Sequence, residues 1–379
     1  MSGSNGRFAV IGGGIGGSSA AYHLARLGHR VTLIDRNDVG QATAAGAGII
    51  APGSSNGEGA FLPIARAAGL HYPELIAALA EDEAGATGFE VVGELVIARD
   101  VAEAEALPGR LEAILERQAT GMPNIGEADL LDPDEAVQCF PALRRPEGVI
   151  WVRDAARVDG RLLRDALRRG IERHGGRVVT GNAIPERSGD RVTVVRVNGE
   201  RFAVDGLVLS PGAWANELTE ALGFHVPIEP QRGQIFHLRV PGVDTSRWPI
   251  VVGSFDHYIL TFGPDRVVVG ATRETGSGFD PRLTAAGVVH ALGNALEIAP
   301  GLGSATFHEP RVGPRPYTSD RLPILGHAPG LANVTMAMGF GPSGLLLGPW
   351  SGALAAKMVT GHPDPDRLAL DPYLLDRFA

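Results

Sequence analysis

At 379 residues the chain exceeds the size at which one hydrophobic core stops growing, so two domains are expected. Lys and Arg total 34 against 43 for Asp and Glu, and the resulting formal charge of −9 argues against a nucleic-acid partner. Cys139 is the single cysteine, which excludes an intrachain disulfide and a cysteine-based metal cluster; no metal site is expected, and a reducing, cytoplasmic compartment fits.

Phe8 to Ile11 form a short apolar run suited to a buried strand, and Gly12, Gly14 and Gly17 follow in G-x-G-x-x-G spacing. The first glycine allows a tight turn, the second lets backbone approach a pyrophosphate, and the third lets the next helix pack closely. That helix, opening near Ile15, presents unpaired N–H groups and the positive end of its dipole to an anion. Gly28 ends it after Leu27, and a second strand, Val31 to Ile34, ends at Asp35. A carboxylate there accepts hydrogen bonds from both ribose hydroxyls and repels a 2′-phosphate, an effect that Arg36 slightly blunts. Glycines interrupt the apolar run behind Arg7, which is not the pattern of a signal peptide. By itself this stretch suits NAD as well as FAD.

Next, Gly40, Ala44, Ala45, Gly46 and Gly48 leave the backbone almost bare, able to lie against a flat or phosphorylated ligand, with Ile49 and Ile50 running inward. Helices are expected over 70–79 and 101–118, a strand over 90–97, and a helix within 130–137 started by Asp132 and Pro133. A strand over 148–152 precedes a helix over 161–174. Residues 177–180 read as a buried strand, and 192–197 with 201–204 as a hairpin about Asn198 and Gly199. The strand 205–209, closing on Ser210, Pro211, Gly212, Ala213 and Trp214, returns the chain to its first sheet.

From 227 to 273 strands alternate with Pro and Gly turns, over 233–238, 257–261 and 266–270, which predicts an antiparallel sheet. A helix over 284–296 follows, and 311–324 leads back to the first domain. Residues 331–356 carry no charge and are long enough to span a bilayer, but Gly and Pro at 339, 341, 342, 344, 348, 349 and 352 favour a buried strand, turn and helix. The fold class expected is α/β: a discontinuous Rossmann-like dinucleotide-binding domain (1–84, 146–222, 310–379) with an α+β substrate domain on an antiparallel sheet (85–145, 223–309).

Nearly the whole chain resembles the flavin-dependent D-amino-acid oxidase superfamily, in its glycine oxidase, sarcosine oxidase and D-amino-acid dehydrogenase branch. The resemblance rests, in order, on VIGGGIGGSSAAYHLARLGHRVTLID, TAAGAG, VDGRLLRDAL, SPGAW, PQRGQ, VVVGATRE, GPRPYTSDRLPILG and GFGPSGLLLGPWSG. It implies non-covalent FAD across Gly12, Gly14, Ile15, Gly17, Asp35 and Arg36, with contacts from Ala44, Ala45, Gly48 and Gly212 and with Ile184 flanking the adenine. Gly341, Pro342, Ser343, Gly344 and Leu345 are expected under the flavin ring, where the Gly344 helix end stabilises negative charge at N1 and the C2 carbonyl. Arg315 of the G-x-R-P motif is expected to pair with the substrate carboxylate, with Tyr258 hydrogen-bonding the same group and His257 and Ser343 bordering it; the alternative for Arg315 is a structural pairing with Asp320 or a carbonyl.

The chain departs from the family at three places. The flavin-linking cysteine of sarcosine oxidases would fall within Gly313 to Pro316, so a covalent bond is not expected. Their oxygen-activating lysine would fall near Val268, which leaves O₂ or a respiratory-chain quinone as the electron acceptor. Phe340 stands for the usual histidine after Gly339, and Pro342 for a nearby arginine, which predicts a more apolar pocket. The implied reaction oxidises a D-amino acid, glycine or an N-substituted glycine, with hydride transfer from Cα to flavin N5 and hydrolysis of the imine to a 2-oxo acid and an amine. A flavoprotein acting on a non-carboxylate amine and a non-catalytic nucleotide sensor are the alternatives. A homo-oligomer and peripheral attachment at the inner membrane face stay open.

Overall fold

The computed structural model describes residues 5–253, 257–362 and 368–379. Its first sheet has six strands, with Arg7–Ile11 at the centre. Arg30–Asp35 and then Arg177–Thr180 pair in parallel on one side, Gly206–Leu209 and Val334–Met338 in parallel on the other, and Ile324–His327 closes the far edge antiparallel. Val10 belongs to the core shared with the helices Ile15–Arg26, Phe61–Glu81 and Gly344–Val359, whereas Ala9 and Ile11 belong to a second core with Val192 and Val195 of a three-stranded sheet. A strand covered on both faces is apolar throughout, which is why the run is continuous. Arg177–Thr180, expected to be buried, is instead an edge strand with Arg177 and Thr180 exposed, because only one neighbour pairs with it.

The first and last helices meet backbone to backbone. A Cβ on Gly352 would stand 2.3 Å from the Gly16 carbonyl oxygen, and one on Gly348 would stand 2.7 Å from the Ile15 side chain. Small residues at these crossings let both helix N-termini open toward the same space. Gly17 seals the base of the turn: its Cβ would lie 1.8 Å from Gly12 O. We expect Gly17→Ala to cost about 3 kcal/mol of stability and most of the FAD content, measured by thermal unfolding and by absorbance of the purified protein.

The second sheet has eight strands in the order Thr306–Tyr317, Glu229–Arg239, Arg266–Gly270, Tyr258–Phe262, Ile250–Gly253, Glu94–Ala98, Gly148–Val152 and Ala128–Leu131. All pairs are antiparallel except Ile250–Gly253 with Glu94–Ala98. Gly148–Val152 and Thr306–Tyr317 pair within this sheet, and the boundary expected at 310 falls inside a single strand. Residues 331–356 fold as the strand, a short 3-10 turn and most of the last helix. No helix among the described residues is long and apolar enough to cross a membrane.

Candidate functional site

A cavity of about 430 Å³ lies where the C-terminal ends of the parallel strands meet the face of the second sheet. Ile11, Asp35, Ser210 and Met338 come from the first sheet, and Gly233, Tyr258 and Arg315 from the second, with 41–49 threaded between them. Gly12, at φ 103°, makes the turn; a Cβ there would be 2.1 Å from Ser210 O. Gly14 opens onto the cavity, and the next amide, Ile15 N, donates to Thr43 Oγ1 at 3.0 Å. Gly17 does not line the cavity: it serves the turn's packing rather than a ligand.

Asp35 is ringed by donors. Arg168 Nη2 reaches it at 2.6 Å, Asn37 N at 3.0 Å and Gln41 Nε2 at 3.3 Å. The same Arg168 nitrogen donates to Gly13 O at 2.8 Å, tying the second strand end to the glycine turn. Burial holds the Arg168 guanidinium below its ordinary pKa, and Arg164 adds to that. Arg36 sits on the rim, paired with Glu217 at 2.5 Å and Asp38 at 2.9 Å and lying 6.0 Å from the Trp214 ring. Ile184 is 44 % exposed at this end, an apolar ledge beside Gly181 and Pro185. Gly48 and Gly212, at φ 98° and 64°, line the wall with Ala45. Ala44 is turned away, its carbonyl accepting from Arg311 Nη1 at 3.2 Å.

At the opposite end Gly341, Pro342, Ser343, Gly344 and Leu345 line the cavity, where Gly344 opens the last helix. Tyr72, buried beneath, donates its hydroxyl to the Leu345 carbonyl and fixes that turn. Arg315 faces Gly233 across the strand pair, where a Cβ would stand 2.4 Å from the guanidinium, so the glycine of PQRGQ leaves room for it. Arg315 Nη1 donates to Thr272 O at 2.9 Å, while Asp320 pairs with Arg377 at 2.6 Å. Tyr258 pairs with Gly270, whose missing side chain would stand 3.1 Å from the hydroxyl. Burial raises the Tyr258 pKa more than Arg315 and Arg273 lower it, so the phenol stays neutral.

Arg273 lines this cavity too, and sequence reasoning missed it although VVVGATRE contains it. Phe340 and Pro342 line the cavity, as does this second guanidinium. His257 lines a smaller neighbouring cavity, which Tyr258 also borders, and not the first. Val268 is buried in an apolar cluster against Ala47 and Ile49. Cys139 ends the helix Pro133–Cys139 away from the cavity. Among the described residues no group of three or more His, Cys, Asp or Glu could hold a metal ion.

These residues fit FAD. The cavity is long, two helix N-termini open into it, an oriented carboxylate stands at one end, and backbone without side chains forms much of its wall. The family model for FAD dependent oxidoreductase (DAO) matches residues 7–358. An uncharacterized oxidoreductase, YurR, of Bacillus subtilis (strain 168) is 38% identical, with 97% of each chain covered. The crystal structure of iminodiacetate oxidase (IdaA) from Chelativorans sp. BNC1 is 41% identical with a TM-score of 0.91, covering 97% of this chain and 99% of that one. Glycine oxidase from Geobacillus kaustophilus is 26% identical with a TM-score of 0.84, covering 98% of both chains. The chain belongs to the DAO family of FAD-dependent oxidoreductases, as an enzyme that acts on C–N bonds and binds FAD non-covalently.

Proposed function

We propose that the protein oxidises a small amine-bearing carboxylate, namely glycine, an N-substituted glycine or a D-amino acid, to an imine that water hydrolyses to a 2-oxo acid and an amine. The observation that carries this reading is the meeting of Arg315, Tyr258 and the Gly344 helix end at one end of the cavity. The names glycine oxidase and iminodiacetate oxidase describe substrates with an amine one carbon from a carboxylate, which supports it. Arg273 and Arg315, both lining the cavity near Tyr258, argue against a non-carboxylate amine.

FAD, when bound, would supply the two-electron oxidant for loss of the substrate's Cα hydrogen as hydride. Arg315 pairs with the substrate carboxylate through its planar fork, and the neutral Tyr258 phenol donates to the same group. Ser343 borders the substrate, and the N–H groups opening the helix at Gly344 favour negative charge on the cofactor side. The substrate's neutral amine lone pair assists loss of the Cα hydrogen, so orientation carries most of the catalysis. The enzyme works in the cytoplasm and passes electrons to O₂ or a quinone. Anaerobic mixing with glycine, sarcosine, iminodiacetate, D-alanine and D-proline tests this: at least one is expected to bleach the visible flavin band within seconds. If none does, the reading is wrong.

A further inference from the structure

A second cavity of about 160 Å³ adjoins the first and shares Ile49, Tyr258 and Arg273 with it. Glu94 lies on its wall, 1 % exposed, and its Oε1 has no hydrogen-bond partner among the described residues. His257, 4 % exposed, has neither ring nitrogen paired among them. Arg110, from the helix Val101–Ala119, enters from the other side and donates to Ser54 O at 3.2 Å. Unpaired buried polar atoms are costly, so a ligand group that satisfies them is favoured there.

The charge balance says which group. Arg110 is cationic, and Glu94, the one acid among the described lining residues, is pushed up to about 7 by burial, against the opposing pull of Ser54 and Arg110. A protonated Glu94 is a donor, and the neutral His257, held down to about 4 by burial, donates one N–H. The pocket is thus rich in donors and positive charge. Tyr258 and Arg273 line both cavities and so join this pocket to the one that holds Arg315.

We propose that this side pocket, walled by Glu94, Arg110, His257 and Arg273, receives a second carboxylate of the substrate, so that the enzyme prefers amino dicarboxylates such as N-carboxymethyl amino acids. The inference rests on the amine-oxidation reading above. Its test compares iminodiacetate with sarcosine, which shares the carboxymethyl amine but lacks the second carboxylate, on the FAD-loaded enzyme. Arg110→Gln is expected to raise KM for iminodiacetate about ten- to a hundredfold and to change that for sarcosine less than about threefold. Arg110→Lys, which keeps the charge, is expected to recover most of the loss, and this separates the role from a folding defect. Equal losses on both substrates, or no loss on iminodiacetate, overturn the subsite. If no amine bleaches the wild-type flavin, the oxidation reading falls alone: iminodiacetate titrated against the flavin spectrum still reads the pocket, with at least tenfold weaker binding to Arg110→Gln expected and equal binding overturning it.

Discussion

Arg315→Ala is expected to lower kcat/KM for the amine substrate about 10²- to 10³-fold while FAD content stays at the wild-type level. Removing one partner of a desolvated ion pair costs about 2–5 kcal/mol, and each 1.4 kcal/mol is tenfold. The substrate carboxylate would then lose its forked partner in a cavity that Arg273 also lines. Because Arg315 also donates to Thr272 O, part of any effect is structural, and Arg315→Lys separates the two. Lysine keeps the charge but loses the fork, so it should retain substrate binding at about tenfold lower affinity. Anaerobic bleaching rates measured against substrate concentration distinguish weaker binding from slower chemistry. Unchanged rates and affinity in Arg315→Ala would falsify the carboxylate role.

Acid is expected to destabilise the fold well before its carboxylates titrate. His23 on the first helix and His71 on Phe61–Glu81 have rings 5.2 Å apart, and burial is the main cause that holds them down to about 4 and about 3. His237, 2 % exposed, is held to about 3 by burial and then by Arg311 and Arg266. All three stay neutral in the folded state while the unfolded chain binds protons below about pH 6.5. The unfolded state therefore carries the extra protons, stability rises with pH, and it is lost as pH falls from 6.5 toward 4. For three such groups the loss between pH 7 and 5.5 is about 4 kcal/mol, read from urea unfolding at saturating FAD. His237→Gln, which carries no charge at any pH, should flatten this dependence by about a third. A flat profile in the wild-type protein would show that these rings are already solvated.

Local chemistry was legible in the sequence. The glycine spacing, the apolar runs at 8–11 and 206–209, the Asn198-Gly199 hairpin and the small-residue stretch before Ile49 each report a conformation that a few neighbouring residues determine. Partners were not. Gly148–Val152 reads as a strand in any sheet, and nothing in its residues says which one it joins. Arg168 reaches Asp35 across 133 positions, and from its own helix it looks like any exposed arginine. The need for glycine at 233 appears only when Arg315 lies opposite it. Tyr258 borders both cavities and His257 only the smaller one, a difference that depends on distant strands and helices and not on the two residues themselves.

The close crossing of the first and last helices fixes when the site can exist during synthesis. Gly16 presses on Gly348 and Gly352, and the strand Val334–Met338 lies beside Gly206–Leu209, so segments far apart in the chain share one wall. A nascent chain lacking the segment from 334 to 359 has the glycine turn but neither its lid nor its helical buttress. Cofactor loading is therefore expected only after the segment from 334 to 359 has been made and has docked.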